Sequence, residues 1–591
     1  MKKIVALGTA VVLAAGVTLA AEPSANLNIA DFTGNADVKW GVDLDAGRTG
    51  FLNSEYLKFK INLFDGGSKT TSQEGDVWAE LIMSAGNTKD WTHHLFSVET
   101  TNTFNSTEDS VNGIVTNPTD GAGRGMSFAI DAAKIHFGDM YVSILAGDTV
   151  TGEYEFDGAV RGKGYWKGQG KWLTNVGPSG YSQGLEAGYA NSNLGAAIDF
   201  RSYGKNKNQY SDAYAVAAEV KLKDSNEWLS GLFADIGGSV NISNYVYDNI
   251  QGKAIATMVT QGYGKEDDGG FTAEKVRTIG YSANAGYKLD IGDKYWLKPA
   301  VGFTGTFQTG KLGWNTKDEA YIGSANLNSN RLVVGAMFGW SNSQADYSDL
   351  YYFGEETGET DKEDYAAKVQ GGASVVAYIP LPETASAEAS GYKGTLVNYD
   401  KVLALIVPSF YTKSDLVQGL HAGVYSEIAL LRAEGDLDSS VSEKSSKSVL
   451  KNGAADKDNA FAFALAGAVA YDIKADSMTI TPQVGARFAN AAYFDNKINE
   501  YAPLNNQNAG FFGGQYTDMG IQKKKANGLY DGNFLNVKAG VNVNGLINNT
   551  DFYVVYQSAN LLNQYDNDDG FGNKFYNFKA GTLNVGCTIA F

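Results

Sequence analysis

The segment 583–591, LNVGCTIAF, alternates without interruption between apolar residues and small or polar residues. Its apolar residues are Leu583, Val585, Cys587, Ile589 and Phe591, and the residues between them are Asn584, Gly586, Thr588 and Ala590. Because successive side chains of a β-strand point to opposite faces, a period of two predicts a strand with one apolar face. The segment therefore predicts a strand that separates an apolar environment from a polar one.

The first residues indicate a secreted protein. Met1-Lys2-Lys3 precedes an apolar stretch, 4–15, and small residues continue through Ala21. A basic start, a short apolar run and a small-residue junction are typical of a secretory signal peptide. We expect residues 1–20 to be removed after Ala20, so that residues 21–591 form the mature chain.

No later stretch has the ~18 consecutive apolar residues that a membrane-spanning helix needs. The closest is 460–471, AFAFALAGAVAY, whose bulky residues fall on odd positions and whose alanines fall on even positions. This pattern predicts a strand with a small inner face. The 70 glycines, 34 tyrosines and 29 phenylalanines favour one large barrel over several globular domains.

These features predict an all-β fold, a transmembrane antiparallel β-barrel of the outer-membrane type with roughly 16–22 strands. The apolar face of each strand would contact lipid, and the polar face would line an aqueous lumen. Other candidate strands are 38–44, 57–63, 185–189, 194–200, 214–222, 232–242, 332–340, 369–379, 402–411, 420–431, 535–543 and 552–556. Long polar segments predicted as loops are 100–126, 152–182, 343–364, 434–459 and 495–533.

The clearest hairpin joins 279–289 to 295–307 across a short polar turn. Both arms reach the ~9–11 residues with which a tilted strand crosses a bilayer. Aromatic residues lie toward the ends of the arms, at Tyr281, Tyr287, Tyr295 and Phe307. The design recurs at 461–473 followed by 478–488. Since proline cannot donate to a strand ladder, Pro299 and Pro482 are expected at bulges or near a rim.

The formal net charge of −18 disfavours nucleic acid as a partner. The acidic residues could face the lumen or the loops, so cation preference stays open. Cys587 is the single cysteine, which allows no intrachain disulfide. The four histidines, the absence of a G-x-S-x-G or H-E-x-x-H motif and the lack of a complete ligand set predict no enzyme, no catalytic residue, no metal site and no cofactor.

Some polar segments admit two interpretations. The acidic clusters 266–270 and 566–570 have the composition of calcium ligands, but neither completes a calcium-loop pattern, and both are interpreted as solvated turns. The segment 153–171 mixes charged and aromatic residues, and it either narrows the pore or forms an exposed loop. The adjacent pair His93 and His94 and the run 523–525 are interpreted as surface residues.

Three short motifs resemble the treponemal major outer sheath proteins and the related Tpr family. They are 36–44, ADVKWGVDL, 49–53, TGFLN, and 76–80, DVWAE. The resemblance implies an abundant, often trimeric outer-membrane pore that also binds host matrix proteins or cells. It further implies a bipartite chain, with about 21–180 periplasmic and 181–591 forming the barrel. Because 36–64 already alternates, we favour one barrel over 21–591 and keep the bipartite arrangement as the alternative.

The sequence therefore predicts a porin for passive diffusion of small hydrophilic solutes and ions in the cell outer membrane. The alternative is a surface adhesin or structural sheath protein that binds host matrix through its long loops. Expected partners are outer-membrane lipid, the barrel-assembly machinery, host matrix proteins and further copies of the chain in a homotrimer. Leu583, Val585, Ile589 and Phe591 are expected to act as an assembly signal, in a last strand that meets the first strand at 38–44.

Overall fold

The structure is a computed structural model. It describes residues 28–44, 47–64, 77–86, 127–145, 182–203, 213–223, 226–242, 273–293, 295–315, 320–340, 371–389, 392–399, 402–413, 416–432, 447–451, 461–496, 498, 532–562, 567–568, 574–575 and 580–590. Several sequence predictions lie outside the described residues. They concern the signal peptide, His93 and His94, the segment 153–171, the cluster 266–270, the run 523–525 and Phe591.

The described secondary structure is almost entirely β-strand. In chain order the strands are β1 (Asn28–Asp43), β2 (Arg48–Phe64), β3 (Val77–Gly86), β4 (Ser127–Phe137), β5 (Met140–Leu145), β6 (Ser182–Ala190), β7 (Leu194–Tyr203), β8 (Ala213–Leu222), β9 (Leu232–Ile242), β10 (Ala273–Tyr287), β11 (Leu289–Ile291), β12 (Tyr295–Asn315), β13 (Ala320–Gly339), β14 (Gly371–Pro380), β15 (Glu383–Ala389), β16 (Tyr392–Tyr399), β17 (Val402–Lys413), β18 (Leu420–Leu431), β19 (Lys447–Lys451), β20 (Phe461–Tyr471), β21 (Ile473–Ala475), β22 (Met478–Ala489), β23 (Phe534–Ile547), β24 (Thr550–Gln557), β25 (Asn567–Asp568), β26 (Lys574–Phe575) and β27 (Thr582–Ala590). A short helix, α1 (Ala491–Asp495), follows β22. Among the described residues, no helix combines the length and the hydropathy that a membrane span requires.

The strands pair with their neighbours in chain order, and the series of pairings returns to its start. It runs through β1 to β10 and then through β12, β13, β14, β17, β18, β20, β22, β23, β24 and β27. β27 then pairs with β1, with Val38 opposite Cys587 and Val42 opposite Leu583. Within the described residues the ring contains twenty antiparallel strands, an even number typical of bacterial outer-membrane barrels. The prediction of an antiparallel barrel is confirmed, and so is the predicted meeting of its last and first strands.

The two faces of the wall differ in composition, as the alternation predicted. Large apolar side chains that remain exposed include Val301, Val334, Val484, Val554 and Val585. Residues of the opposite parity on the same strands, such as Thr304, Val333 and Arg487, are buried. Because a barrel buries its inner face and presents its outer face to lipid, the exposed apolar set is the membrane-facing surface.

The apolar band on the outer face has the height of a bilayer core. On β12 it runs from Leu297 to Phe307, a spacing of ten residues that spans ~33 Å along a strand and ~25 Å when the strand is tilted by about 40°. Near the Phe307 end of the band, the hydroxyl of Tyr281 donates to the Oδ1 atom of Asn330 at 2.6 Å. Near the Leu297 end, Tyr295 stacks on Phe338, with ring centroids 5.9 Å apart. Tyr281 and Tyr295 are two of the aromatic residues that the sequence places toward the ends of the hairpin arms, where an outer-membrane barrel carries its aromatic girdles.

The connections are unequal at the two ends of the barrel. We call one end the short-turn rim, because β4 and β5, β6 and β7, and β23 and β24 are joined there by two or three residues. The other end is the long-loop rim, where 87–126, 146–181, 243–272, 432–460 and 490–533 connect consecutive wall strands. One predicted loop, 343–364, falls in a connection at the short-turn rim, because Gly339 pairs with Trp296 beside the turn at Gly292.

The two related hairpins repeat in detail. The pairing of β10 with β12 stops at Gly286 opposite Ala300 and resumes at Leu289 opposite Leu297. The ladder between β20 and β22 has the same interruption, from Ala470 opposite Gln483 to Ile473 opposite Ile480. Pro299 and Pro482 lie at these two interruptions near the short-turn rim, in agreement with the prediction.

Four inward aromatic side chains lie over glycines that are directly opposite on the next strand. The pairs are Tyr141 with Gly188, Phe233 with Gly286, Trp296 with Gly339, and Tyr553 with Gly586. At each glycine a Cβ atom would overlap the ring of the aromatic residue. The absence of a side chain therefore allows a large ring to lie flat across the sheet.

Some strands were not predicted. In β4, apolar residues occupy the even positions Phe128 and Ile130 and then the odd positions Ile135 and Phe137, because the register against β3 shifts near Asp131. A bulge of this kind reverses the parity on which the prediction depends. β15, β16 and β19 extend the sheet beyond the closed ring at the long-loop rim, where β16 pairs with β19 in parallel.

Candidate functional site

The inward face of the barrel is the candidate functional site, because it is the surface that a solute would contact while crossing. The polarity of its buried side chains differs between two parts of the circumference. From β5 to β12 the buried inward residues are mostly polar or charged, whereas from β13 to β23 they are mostly apolar. We refer to these two parts as the polar wall and the apolar wall.

Four carboxylates mark the polar wall, one on each of the consecutive strands β6 to β9. They are Glu186, Asp199, Glu219 and Asp235, and their exposed fractions are 2%, 2%, 1% and 5%. Glu186 lies directly opposite Asp199, and Glu219 and Asp235 follow on diagonal positions of the next strands. The strands place these groups as neighbours because each has inward parity.

Neutral oxygen atoms surround the carboxylates. The hydroxyl of Tyr141 donates to the Oε1 atom of Glu186 at 2.7 Å. Ser143 on β5 lies opposite Glu186, and the side chain of Ser143 is fully buried. On β10, Ser282 lies opposite Gly237, which in turn lies opposite Glu219. Because Gly237 has no side chain, Ser282 and Glu219 face each other across it.

Lys298 marks the border between the two walls. It is 1% exposed, and its Nζ atom lies 5.6 Å from the ring centroid of Trp296 and 5.9 Å from that of Phe233. Both rings are among those that lie over glycines. The aromatic faces stabilise the ammonium group through cation–π attraction, so this inward cation is held on β12, beside the rings.

The apolar wall contains a segment that enters from the long-loop rim. α1 follows β22, and its residues Tyr493 and Phe494 are 0% and 3% exposed. They pack against inward residues of β18, β20 and β23, including Ala462, Ala464 and Phe534. The alanines of β20 were predicted to form a small inner face, and the space they leave is occupied by α1.

Polar contacts anchor α1 to the barrel. The hydroxyl of Tyr493 donates to the Oε2 atom of Glu427, which is fully buried on β18. Asn490 caps the helix by accepting from the backbone N–H of Tyr493 at 3.1 Å, and it also accepts from the N–H of Phe463 at 3.0 Å. Arg487 on β22 lies 5.4 Å from the ring centroid of Phe534 on β23, the ring against which Phe494 packs. The contacts of Tyr493 and Asn490 fix a short segment of chain inside the barrel.

Sequence reasoning missed α1 and its partner Glu427. The predicted loop 495–533 began only at the end of the helix. A signal was present, since Asn490 is a favoured N-cap residue and precedes Ala491-Ala492-Tyr493-Phe494. With fewer than two turns, however, the helix has no periodicity for a sequence pattern to detect.

The predicted assembly residues lie at the seam between β27 and β1. Leu583 pairs with Val42, Val585 with Trp40, and Ile589 with Ala36. On the inner face of the seam, Asp37 accepts from the hydroxyl of Tyr553 at 2.8 Å and from Thr588 at 3.1 Å. One carboxylate thus connects β1, β27 and β24. An assembly role for Leu583, Val585 and Ile589 stays a prediction.

Of the histidines, two fall within the described residues. His421 contacts the Oδ2 atom of Asp472 at 2.8 Å, and the ring of His136 lies 6.0 Å from that of Tyr141. No group of three or more His, Cys, Asp or Glu side chains that could hold a metal ion occurs in the part of the chain that the structure describes.

Comparisons with known proteins agree with the resemblance found in the sequence. The chain is 25% identical over 413 residues to the major outer membrane protein MspA of Treponema maltophilum, covering 58% of this chain and 65% of that protein. It is 28% identical over 436 residues to the major surface protein MspTL of Treponema lecithinolyticum, covering 62% and 68%. The match thus spans slightly less than two thirds of MspA. No family model matches the chain.

Solved structures were also compared. Pseudomonas aeruginosa OccD3 (OpdP) has a TM-score of 0.34 and 9% sequence identity, and it covers 96% of this chain and 93% of its own. Pseudomonas aeruginosa OpdK with vanillate has a TM-score of 0.32 and 9% identity, with coverages of 95% and 99%. The relationship to the treponemal major surface proteins is carried by the sequence relatives, and the chain is an outer-membrane protein with a β-barrel fold.

Proposed function

We propose that this outer-membrane barrel, a relative of the treponemal major surface proteins, is a porin through which small hydrophilic solutes and ions diffuse passively. The observation that carries the proposal is the closed ring of twenty strands with an inward polar wall. Barrels of this size enclose a lumen wider than one layer of side chains. Because charged and hydroxyl groups line part of it, ions and polar solutes would exchange water for polar contacts as they cross.

The proposed orientation places the long-loop rim outside the cell and the short-turn rim in the periplasm, because outer-membrane barrels have short periplasmic turns and longer extracellular loops. A signal peptide at 1–20 and one barrel over 21–591 belong to the same proposal. So do assembly by the barrel-assembly machinery and association into a homotrimer. The proposal includes no enzymatic step, in keeping with relatives that are named as outer membrane and surface proteins.

Reconstitution tests the porin proposal directly. We expect purified, refolded protein added to a planar lipid bilayer to produce stepwise increases in current, because each inserted barrel adds one conducting path. Heat-modifiable migration on a gel would show that the added protein is folded. Folded protein that inserts without any current steps would contradict the proposal.

A second proposed role is adhesion to host matrix, favoured by the concentration of long connections at the long-loop rim. We expect shortening of 87–126 and 243–272 to abolish binding to immobilised extracellular-matrix proteins while current steps persist. Shortening of 341–370, which belongs to the short-turn rim, is the matched control and should leave binding unchanged. Undiminished binding by the first variant would contradict the adhesive role.

A further inference from the structure

We propose that the inward carboxylates of β6 to β9 make the pore selective for small cations, such as alkali metal ions and ammonium, over anions. This inference rests on the proposed porin function and names the class of solute that it favours. Its basis is the juxtaposition of Glu186, Asp199, Glu219 and Asp235 on four consecutive strands.

Acidic residues outnumber basic residues in this region. Among the residues of inward parity on β6 to β9, four are carboxylates and two are basic. The basic residues are Lys221, which lies opposite Asp235, and Arg201, which has the same parity as Asp199 on β7. The remaining lysine nearby, Lys223, belongs to the turn at the rim, where its Nζ atom donates to the backbone oxygen of Asn191. A cation passing this wall would be attracted and an anion repelled.

Burial makes that attraction stronger than the same charges would produce on a surface. The carboxylates are at most 5% exposed, and a low local dielectric increases Coulomb interactions severalfold over those in bulk water. The barrel wall also excludes competing solvent on one side. Acidic side chains that line a passage set its preference for cations.

Two buried hydroxyl groups point to a cationic solute independently of the charges. The Oγ atoms of Ser143 and Ser282 are buried and have no hydrogen-bond partner within the described structure. Their residues are 0% and 3% exposed. Ser143 lies opposite Glu186, and Ser282 faces Glu219 across Gly237. A buried hydroxyl without a partner is costly, and oxygen atoms of this kind are the contacts that hard cations favour.

The site favours transit over tight binding. Since no described group of three or more carboxylate, imidazole or thiolate ligands converges as a metal site would require, the carboxylates act through their field rather than as a chelate. Spacing along successive strands provides several weak positions in sequence, and conduction requires binding that is favourable but readily reversed.

The test is the reversal potential of the reconstituted protein in a gradient of KCl across a planar bilayer. For the unaltered protein we expect the permeability ratio of K⁺ to Cl⁻ to exceed one severalfold. The double substitution Asp199→Asn with Glu219→Gln keeps side-chain size and removes two charges, so the ratio should fall toward about one. Lys221→Gln removes a basic group instead, and it should raise the ratio.

Asp476→Asn is the matched control. Asp476 lies exposed in the short turn between β21 and β22 at a φ of 54°, a conformation that asparagine tolerates. The substitution also neutralises a carboxylate, one outside the inward cluster, and the ratio should stay that of the unaltered protein. Current steps without cation preference, or a ratio that neither Asp199→Asn with Glu219→Gln nor Lys221→Gln changes, would overturn this inference alone. Folded protein without current steps would overturn the porin proposal with it.

Discussion

Replacement of both Tyr493 and Phe494 by alanine is expected to enlarge the single-channel conductance of the protein. These two rings are buried on the inner side of the barrel against the apolar wall. Because the rings occupy space that would otherwise belong to the lumen, their removal widens the conducting path at the level of α1.

The substitution also removes two of the contacts that hold α1. The hydroxyl of Tyr493 no longer donates to Glu427, and Phe494 loses its edge-to-face contact with Phe534, whose ring centroid lies 6.2 Å away. Truncation of a buried aromatic ring to alanine costs about 3–5 kcal/mol of stability. In a barrel wall whose twenty strands remain paired, we expect this loss to release α1 rather than to unfold the barrel.

Single-channel recording in planar bilayers measures the effect. The matched control replaces Leu561 and Leu562, which are exposed residues beyond β24 at the same rim, by alanine, and its conductance should equal that of the unaltered protein. Tyr493→Phe isolates the hydroxyl and should increase conductance less than the double substitution. An unchanged conductance in the folded double variant would mean that α1 does not lie in the conducting path.

The barrel could be predicted because period-two alternation depends only on local sequence. The strands β9 (Leu232–Ile242) and β18 (Leu420–Leu431) have the boundaries predicted from their apolar parity. Long-range closure was predicted from two alternating segments, 38–44 and 583–591, which both carry apolar residues of one parity. Where a bulge changes parity, as near Asp131 in β4, the same reasoning failed.

The polar wall was only partly accessible to sequence reasoning. Asp199, Glu219 and Asp235 lie in segments that were predicted as strands. Asp199 and Glu219 have the parity opposite to the large apolar residues around them, so an inward position could be predicted for both, whereas Asp235 shares its parity with Phe233. The proximity of the three carboxylates could not be predicted, because it depends on which strands pair and on the register between them. α1 was missed for a related reason, since its burial depends on alanines of β20 that are distant in sequence.

Reversal of the parity of Val585 and Gly586, by Val585→Gly with Gly586→Val, is expected to prevent correct closure of the barrel. Gly586 lies on the inner face, where a Cβ atom would be 2.6 Å from the hydroxyl oxygen of Tyr553 and 2.7 Å from the Cβ atom of Lys39. Tyr553 crosses this glycine to donate to Asp37 on β1. A valine at 586 would displace the ring and break the link between β24 and β1.

The same double substitution removes an apolar side chain from the outer face, where Val585 is 40% exposed. Overpacking costs about 1–3 kcal/mol, and loss of a hydrogen bond to a carboxylate costs about 1.5–3 kcal/mol. Both losses fall on the pairing that closes the ring. Recovery of heat-modifiable, protease-resistant protein in the outer-membrane fraction measures the result, and we expect it to fall severalfold.

Val585→Ile is the matched control, because it keeps an apolar residue outside and glycine inside. It should assemble like the unaltered protein. Asp37→Asn provides a second measurement, since asparagine keeps the size of the side chain but weakens the bonds from Tyr553 and Thr588. We expect it to assemble with reduced thermal stability. In the described ring, the β27–β1 pairing alone joins the last strand to the first. Normal assembly of the parity-reversed variant would therefore contradict the expectation that this pairing limits closure of the barrel.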